Sequence, residues 1–126
     1  MKRKRILVVD DNAAYSQMFK KLLGQTGFYE VRVENSATQA VAAAREFKPD
    51  LIILDVIMPN LHGGEVAALL QSEPLLKEIP IVFATSTITG LEGKNGVLMS
   101  AGCTYLAKPF NSPAMLQCIE KALAGR

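Results

Sequence analysis

Several polar residues stand where a run of apolar residues stops. Asp10 and Asp11 follow Ile6-Leu7-Val8-Val9, and Asp55 follows Leu51-Ile52-Ile53-Leu54. Thr85 and Ser86 follow Ile81-Val82-Phe83-Ala84, and Lys108 follows Tyr105-Leu106-Ala107. A lone aspartate after a strand is commonly a turn former or a helix cap. An ordered set across four run ends is not explained that way. Carboxylates brought to one place repel one another, and a hard divalent cation removes the conflict. Mg²⁺ fits, because it takes oxygen ligands, needs few carboxylates and keeps several waters. An ammonium and a hydroxyl beside it complete the parts that stabilise the spread negative charge of a transferring phosphoryl group. A carboxylate can itself be the nucleophile in such a transfer, giving an aspartyl phosphate.

These side chains meet only if the apolar runs lie parallel. Leu51 to Leu54 reads as a strand buried on both faces, and Pro59 ends further pairing, so Asp55 sits where strand gives way to loop. Arg5 to Asp10 is a second such strand. Asn12 is placed to cap a helix in which Tyr15, Met18, Phe19, Leu22 and Leu23 recur at helical spacing, closed by Gly24 or Gly27. Tyr29 to Glu34 reads as a more exposed strand. Ser36 caps an expected helix from Ala37 to Phe47, with Ala40, Val41, Ala44 and Phe47 inward, broken at Lys48-Pro49. A third helix is expected from about Glu65 to Ser72, with Val66, Leu69 and Leu70 inward. Ile79 to Ala84 is a further buried strand. Between Thr87 and Ser100, Val97, Leu98 and Met99 predict a helix, which Gly90, Gly93 and Gly96 leave short or frayed. Tyr105 to Ala107 is a last strand, and Ser112-Pro113 opens a closing helix with Leu116, Ile119, Ala122 and Leu123 inward. Strict alternation of strand and helix requires a parallel sheet covered on both faces, joined by right-handed crossovers. All strand C-terminal ends then share one rim, where open parallel sheets bind ligands.

The 126 residues are 49% hydrophobic with a net charge of +2. That is one domain with a real core, and it carries no strong field pointing to nucleic acid. Lys2 to Arg5 is the one basic run, read as a solvated lead-in to the first strand. No apolar stretch approaches a membrane span. Cys103 and Cys118 lack metal or redox spacing and read as small core hydrophobes of a reduced cytoplasmic protein. His62, with no second His or Cys nearby in sequence, reads as a loop residue.

With those residues in place, the chain resembles a two-component response regulator receiver domain of the single-domain chemotaxis type. The resemblance covers essentially the whole chain. It rests on Asp10-Asp11, on Asp55 with Met58-Pro59 and Gly63 behind it, on Thr85, and on Lys108-Pro109-Phe110. It implies a doubly wound (βα)5 flavodoxin-like three-layer sandwich, with a five-stranded parallel sheet of order 2-1-3-4-5. It implies phosphorylation of Asp55 by a sensor histidine kinase or phosphotransfer protein. Mg²⁺ would be held by Asp11, Asp55 and the backbone carbonyl of Ile57, with Asp10 acting through water. Lys108 would contact the phosphoryl group, and Thr85 would bond to it after transfer. Tyr105 would follow Thr85 as a switch, displayed to an unidentified downstream protein on the face of the fourth helix, fifth strand and fifth helix. The Lys108-Pro109 peptide would be cis.

Three departures from the family pattern carry consequences. Ile57 is apolar where a side chain that influences water attack often stands, so the phosphate is expected to be lost slowly. Ser86 occupies a position where Ala or Gly is common. The glycine-rich stretch after Thr87 is about one residue longer than in the chemotaxis regulator. The chain is therefore read as a switch whose only chemistry is on itself, with residues 1–126 as one receiver domain and no output domain, nucleic-acid function or membrane role. Two alternatives stand beside it. One is an Mg²⁺-dependent phosphohydrolase with Asp55 as nucleophile, which would need a second acid and a cap. The other is a receiver-like interaction module that is never phosphorylated.

Overall fold

The computed structural model describes residues 3–55, 63–85, 97–100, 103–107 and 112–124. Among them β1 (Lys4–Val9), β2 (Tyr29–Glu34), β3 (Leu51–Asp55), β4 (Ile81–Thr85), β5 (Val97–Ser100) and β6 (Cys103–Ala107) form one sheet of order β2-β1-β3-β4-β6-β5. The first five strands in that spatial order are parallel, which is the expected 2-1-3-4-5 arrangement with β6 as its last member. Helices α1 (Ala13–Gln25), α2 (Ala40–Phe47), α3 (Gly63–Gln71) and α4 (Ser112–Ala124) cover the two faces.

Each central strand divides its side chains between two cores. Leu7, Val9, Ile52, Leu54 and Phe83 join Ala40, Ala44, Val66 and Leu70 on the α2/α3 side. Ile6, Val8, Leu51, Ile53, Val82 and Ala84 join Phe19, Leu23, Met115 and Ile119 on the α1/α4 side. That is why these strands read as unbroken apolar runs rather than alternating ones.

Local expectations hold in places and fail in others. Asn12 caps α1 as expected, its Oδ1 accepting from Ala14 N at 3.0 Å and Tyr15 N at 3.2 Å. Gly27, with φ of 76°, makes the turn after α1. On α1, however, Met18 is 45% exposed and the buried Ser16 takes an inward position. Ser36 makes no side-chain cap; Ala37–Gln39 is a single 3-10 turn, and α2 proper begins at Ala40. Leu69 of α3 is exposed, while Ala67 is buried in its place. Pro80 precedes β4 rather than lying in it, and its carbonyl accepts from Ile52 N.

The largest departure is β5. Its four residues pair antiparallel with β6, from Val97 opposite Leu106 to Ser100 opposite Cys103. The helix expected to reach Ser100 therefore does not include residues 97–100. Glycines at three-residue intervals weaken a helix at every turn. A short run led by β-branched Val97 extends easily, and antiparallel strands need only the two residues between Ser100 and Cys103 to join them. Residues 86–96, which hold the rest of that expected helix, lie outside the described residues.

Candidate metal centre

Strand parity brings the acids together. Asp10 stands two residues beyond Val8, and Asp55 two beyond Ile53, so both continue the α1/α4 side of their strands. β1 and β3 are neighbours, with Val9 in register with Leu54. Asp10 and Asp55 are consequently side by side and buried, 1% and 6% exposed, while Asp11 is exposed. One carboxylate oxygen from each of the three lies within 4.8 Å of the other two.

A network anchors the Asp10 side of this cluster. Asp10 Oδ1 accepts from Asn12 N at 2.9 Å, which joins the acid to the cap of α1. Asp10 N donates to Glu34 O at 3.1 Å. Asn35 Nδ2 donates to Asp10 O at 2.7 Å and to Ser16 Oγ at 2.9 Å. Ser16 Oγ in turn donates to Ala13 O at 3.1 Å. Ser16 is fully buried, so its hydroxyl must find partners inside the protein. Nothing in the sequence reading singled out Asn35 or Ser16. The signal for Asn35 is its place directly after Glu34, at the same rim as the acids.

Thr85 ends β4, one residue beyond Ala84, the register partner of Asp55. Thr85 is in register with Ala107, so Lys108 is the next residue in the chain after that partner. Tyr105 pairs with Phe83, two residues before Thr85. Ile57, Lys108 and the Lys108-Pro109 peptide lie outside the described residues, as do Ser86 and His62.

The donors suit a hard divalent cation. All three are carboxylates, and oxygens sharing one Mg²⁺ stand at most about 4 Å apart, twice the metal–oxygen distance. The exposed Asp11 side chain can close the small remainder.

The family model for the response regulator receiver domain matches residues 6–120. This chain belongs to that family. The receiver domain is 30% identical over 121 residues to the polar-differentiation response regulator DivK of Brucella anthropi, covering 95% of this chain and 96% of the relative. Its fold superposes on the Vibrio cholerae chemotaxis protein CheY4 with a TM-score of 0.81 at 30% identity, covering 96% of this chain and 99% of that one. It also matches the receiver domain of the Pseudomonas aeruginosa sensor histidine kinase PA1611, with a TM-score of 0.81 at 26% identity and coverage of 98% and 99%. That structure has a magnesium ion coordinated in its active-site cleft. The receiver is thus a component of two-component signalling, with the doubly wound parallel sheet the sequence implied and the antiparallel β5 added at its edge. Among its described residues, no helix is long and apolar enough to cross a membrane.

Proposed function

We propose that this receiver is a phosphorylation switch in which Asp55 takes a phosphoryl group from a histidine kinase or phosphotransfer protein. The phosphorus–nitrogen bond of a phosphohistidine breaks, a phosphorus–oxygen bond to the Asp55 carboxylate forms, and the imidazole leaves with its electron pair and takes up a proton. Asp10, Asp11, Asp55 and the carbonyl of Ile57 would hold Mg²⁺. Bound there, the cation would offset the charge of the carboxylates and of the incoming phosphoryl oxygens. Asp10, tied by Asn12 and Asn35, is held before any ligand arrives, so little reorganisation is needed. Lys108 meets the phosphoryl group, and the Thr85 hydroxyl bonds to it after transfer.

The observation that carries this reading is the juxtaposition of buried Asp10 and buried Asp55 with Asp11 on one rim. Treatment with acetyl phosphate and Mg²⁺ should add one phosphoryl group by mass, and Asp55→Asn should abolish the gain. An intact gain in Asp55→Asn would move the acceptor elsewhere.

The added group brings up to about −2 of charge and three acceptor oxygens. Movement of Thr85 toward it, followed by Tyr105, would bias a two-state equilibrium read by a downstream protein on the face containing β6 and α4. If Thr85→Ala accepts phosphate and still binds its partner as the wild type does, Thr85 is not the switch.

A further inference from the structure

The opposite edge of the sheet carries a groove that phosphoryl transfer does not use. Arg3 leads into β1, which Lys4 and Arg5 open, while Lys48, Pro49 and Asp50 lead into β3. They gather at the strand ends remote from Asp10 and Asp55. Two depressions meet there. One, of about 270 Å³, is bounded by Arg3, Lys4, Arg5, Lys48 and Asp50. The other, of about 330 Å³, has an apolar wall of Pro49, Leu75, Leu76 and Ile79 with Arg45 and Lys48 on its rim. Lys48 and Asp50 line both, so the two form one groove with a cationic half and an apolar half.

The charges here are unevenly matched. Asp50 Oδ2 accepts from Arg5 N at 2.8 Å. The Arg5 guanidinium donates to Phe47 O and lies 3.6 Å from Glu30 Oε1. Arg45 pairs with Glu73. Among the described residues Arg3, Lys4 and Lys48 have no ion-pair partner. Beside them Leu75 is 85% exposed, an apolar side chain that gains by being covered. Lys48 itself sits at φ 54° and ψ 62°, a left-handed conformation that a residue with a Cβ adopts at a cost. This is the left-handed C-cap of α2, with Lys48 N donating to Ala44 O at 2.9 Å, and it places a lysine at the junction of the two halves.

We propose that this groove docks an acidic peptide segment of a partner protein. A large apolar side chain of the segment covers Leu75 and fills the apolar half, and flanking Asp or Glu residues pair with Arg3, Lys4 and Lys48. The apolar wall is aliphatic and has no aromatic ring on which a nucleobase would stack. β1, with six residues, separates the two edges by roughly 20 Å. A partner docked here therefore leaves the acidic rim open to a phosphodonor, and the groove reading stands apart from the assignment of Asp55.

The test is selection of random peptides displayed on phage against the full chain. The enriched sequences should carry one large apolar residue flanked by Asp or Glu. A synthetic peptide of the leading sequence should bind more weakly as salt rises and lose about tenfold in affinity with Lys48→Gly and with Leu75→Ser. Glycine accepts the backbone angles of Lys48 freely, so that variant keeps its fold, which thermal unfolding verifies. Beryllofluoride with Mg²⁺ should not displace the peptide. Enrichment without acidic residues, or wild-type affinity in both variants, would overturn the proposal. Displacement by AMP binding more tightly than any selected peptide would also overturn it, assigning the groove to a nucleotide.

Discussion

Asn35 shows how one exposed amide can govern a buried site. It joins the Asp10 carbonyl to the Ser16 hydroxyl and so pins the β1–α1 junction from the end of β2. Asn35→Ala should lower stability by about 1 kcal/mol, because it removes two hydrogen bonds and leaves the buried Ser16 less satisfied. It should also weaken Mg²⁺ binding; urea unfolding and a metal titration check the two effects separately. Hydrolysis of an acyl phosphate needs an oriented water. An apolar side chain cannot orient an attacking water, so Ile57→Asn should speed loss of phosphate from Asp55 by on the order of tenfold, read as the decay of phosphoprotein over time. An unchanged lifetime would remove Ile57 from the account. The acids were legible in the sequence because a carboxylate has no reason of its own to end a strand buried on both faces. Asn35 was not, since an Asn after a half-exposed strand looks like any turn former.

At the scale of elements, α1 and α2 begin differently although both follow a polar residue. Asn12 reaches two backbone amides, whereas the Ser36 hydroxyl contacts Thr38 Oγ1 at 2.9 Å and leaves its helix to start through a 3-10 turn. Asn12→Ala should therefore destabilise by about 1 kcal/mol, while Ser36→Ala should fall within about 0.5 kcal/mol of the wild type, both by urea unfolding. Lys48→Gly should stabilise the protein by about 0.5 kcal/mol, relief of the left-handed strain exceeding the added freedom of the unfolded chain. The element least legible in the sequence was β5. A four-residue run such as Val97 to Ser100 fits one helical turn as well as one short strand, and periodicity cannot separate them. Pairing with β6 separated them, and that is a tertiary fact.

Over the whole molecule, the two cores differ in their response to pH. The α1/α4 core holds Tyr29 and Cys118, each 6% exposed. Burial, with Glu120 adding repulsion, pushes the Tyr29 hydroxyl up. Burial also pushes the Cys118 thiol up, against a smaller opposing pull from Lys121. In the unfolded chain both groups lose their protons at lower pH than in the folded one. Their contribution is therefore complete below the unfolded values, about 9 for Cys118 and about 10 for Tyr29, and is lost as pH rises from there toward the raised folded values. Urea midpoints measured across alkaline pH should fall, and Cys118→Ala should remove the earlier part of the fall. The layered plan itself was legible, because strand–helix alternation with doubly buried strands admits little else. The parity that splits β1 and β3 between the two cores also continues into Asp10 and Asp55. A one-residue slip of β3 in its pairing register would send Asp55 to the far side of the sheet and, in the same step, exchange the side-chain sets facing each helix layer. Reading frame in space is thus shared by folding and by the acidic rim: a chain that misplaces Asp55 by such a slip has already lost its core, so no well-folded population with a misdirected Asp55 can accumulate.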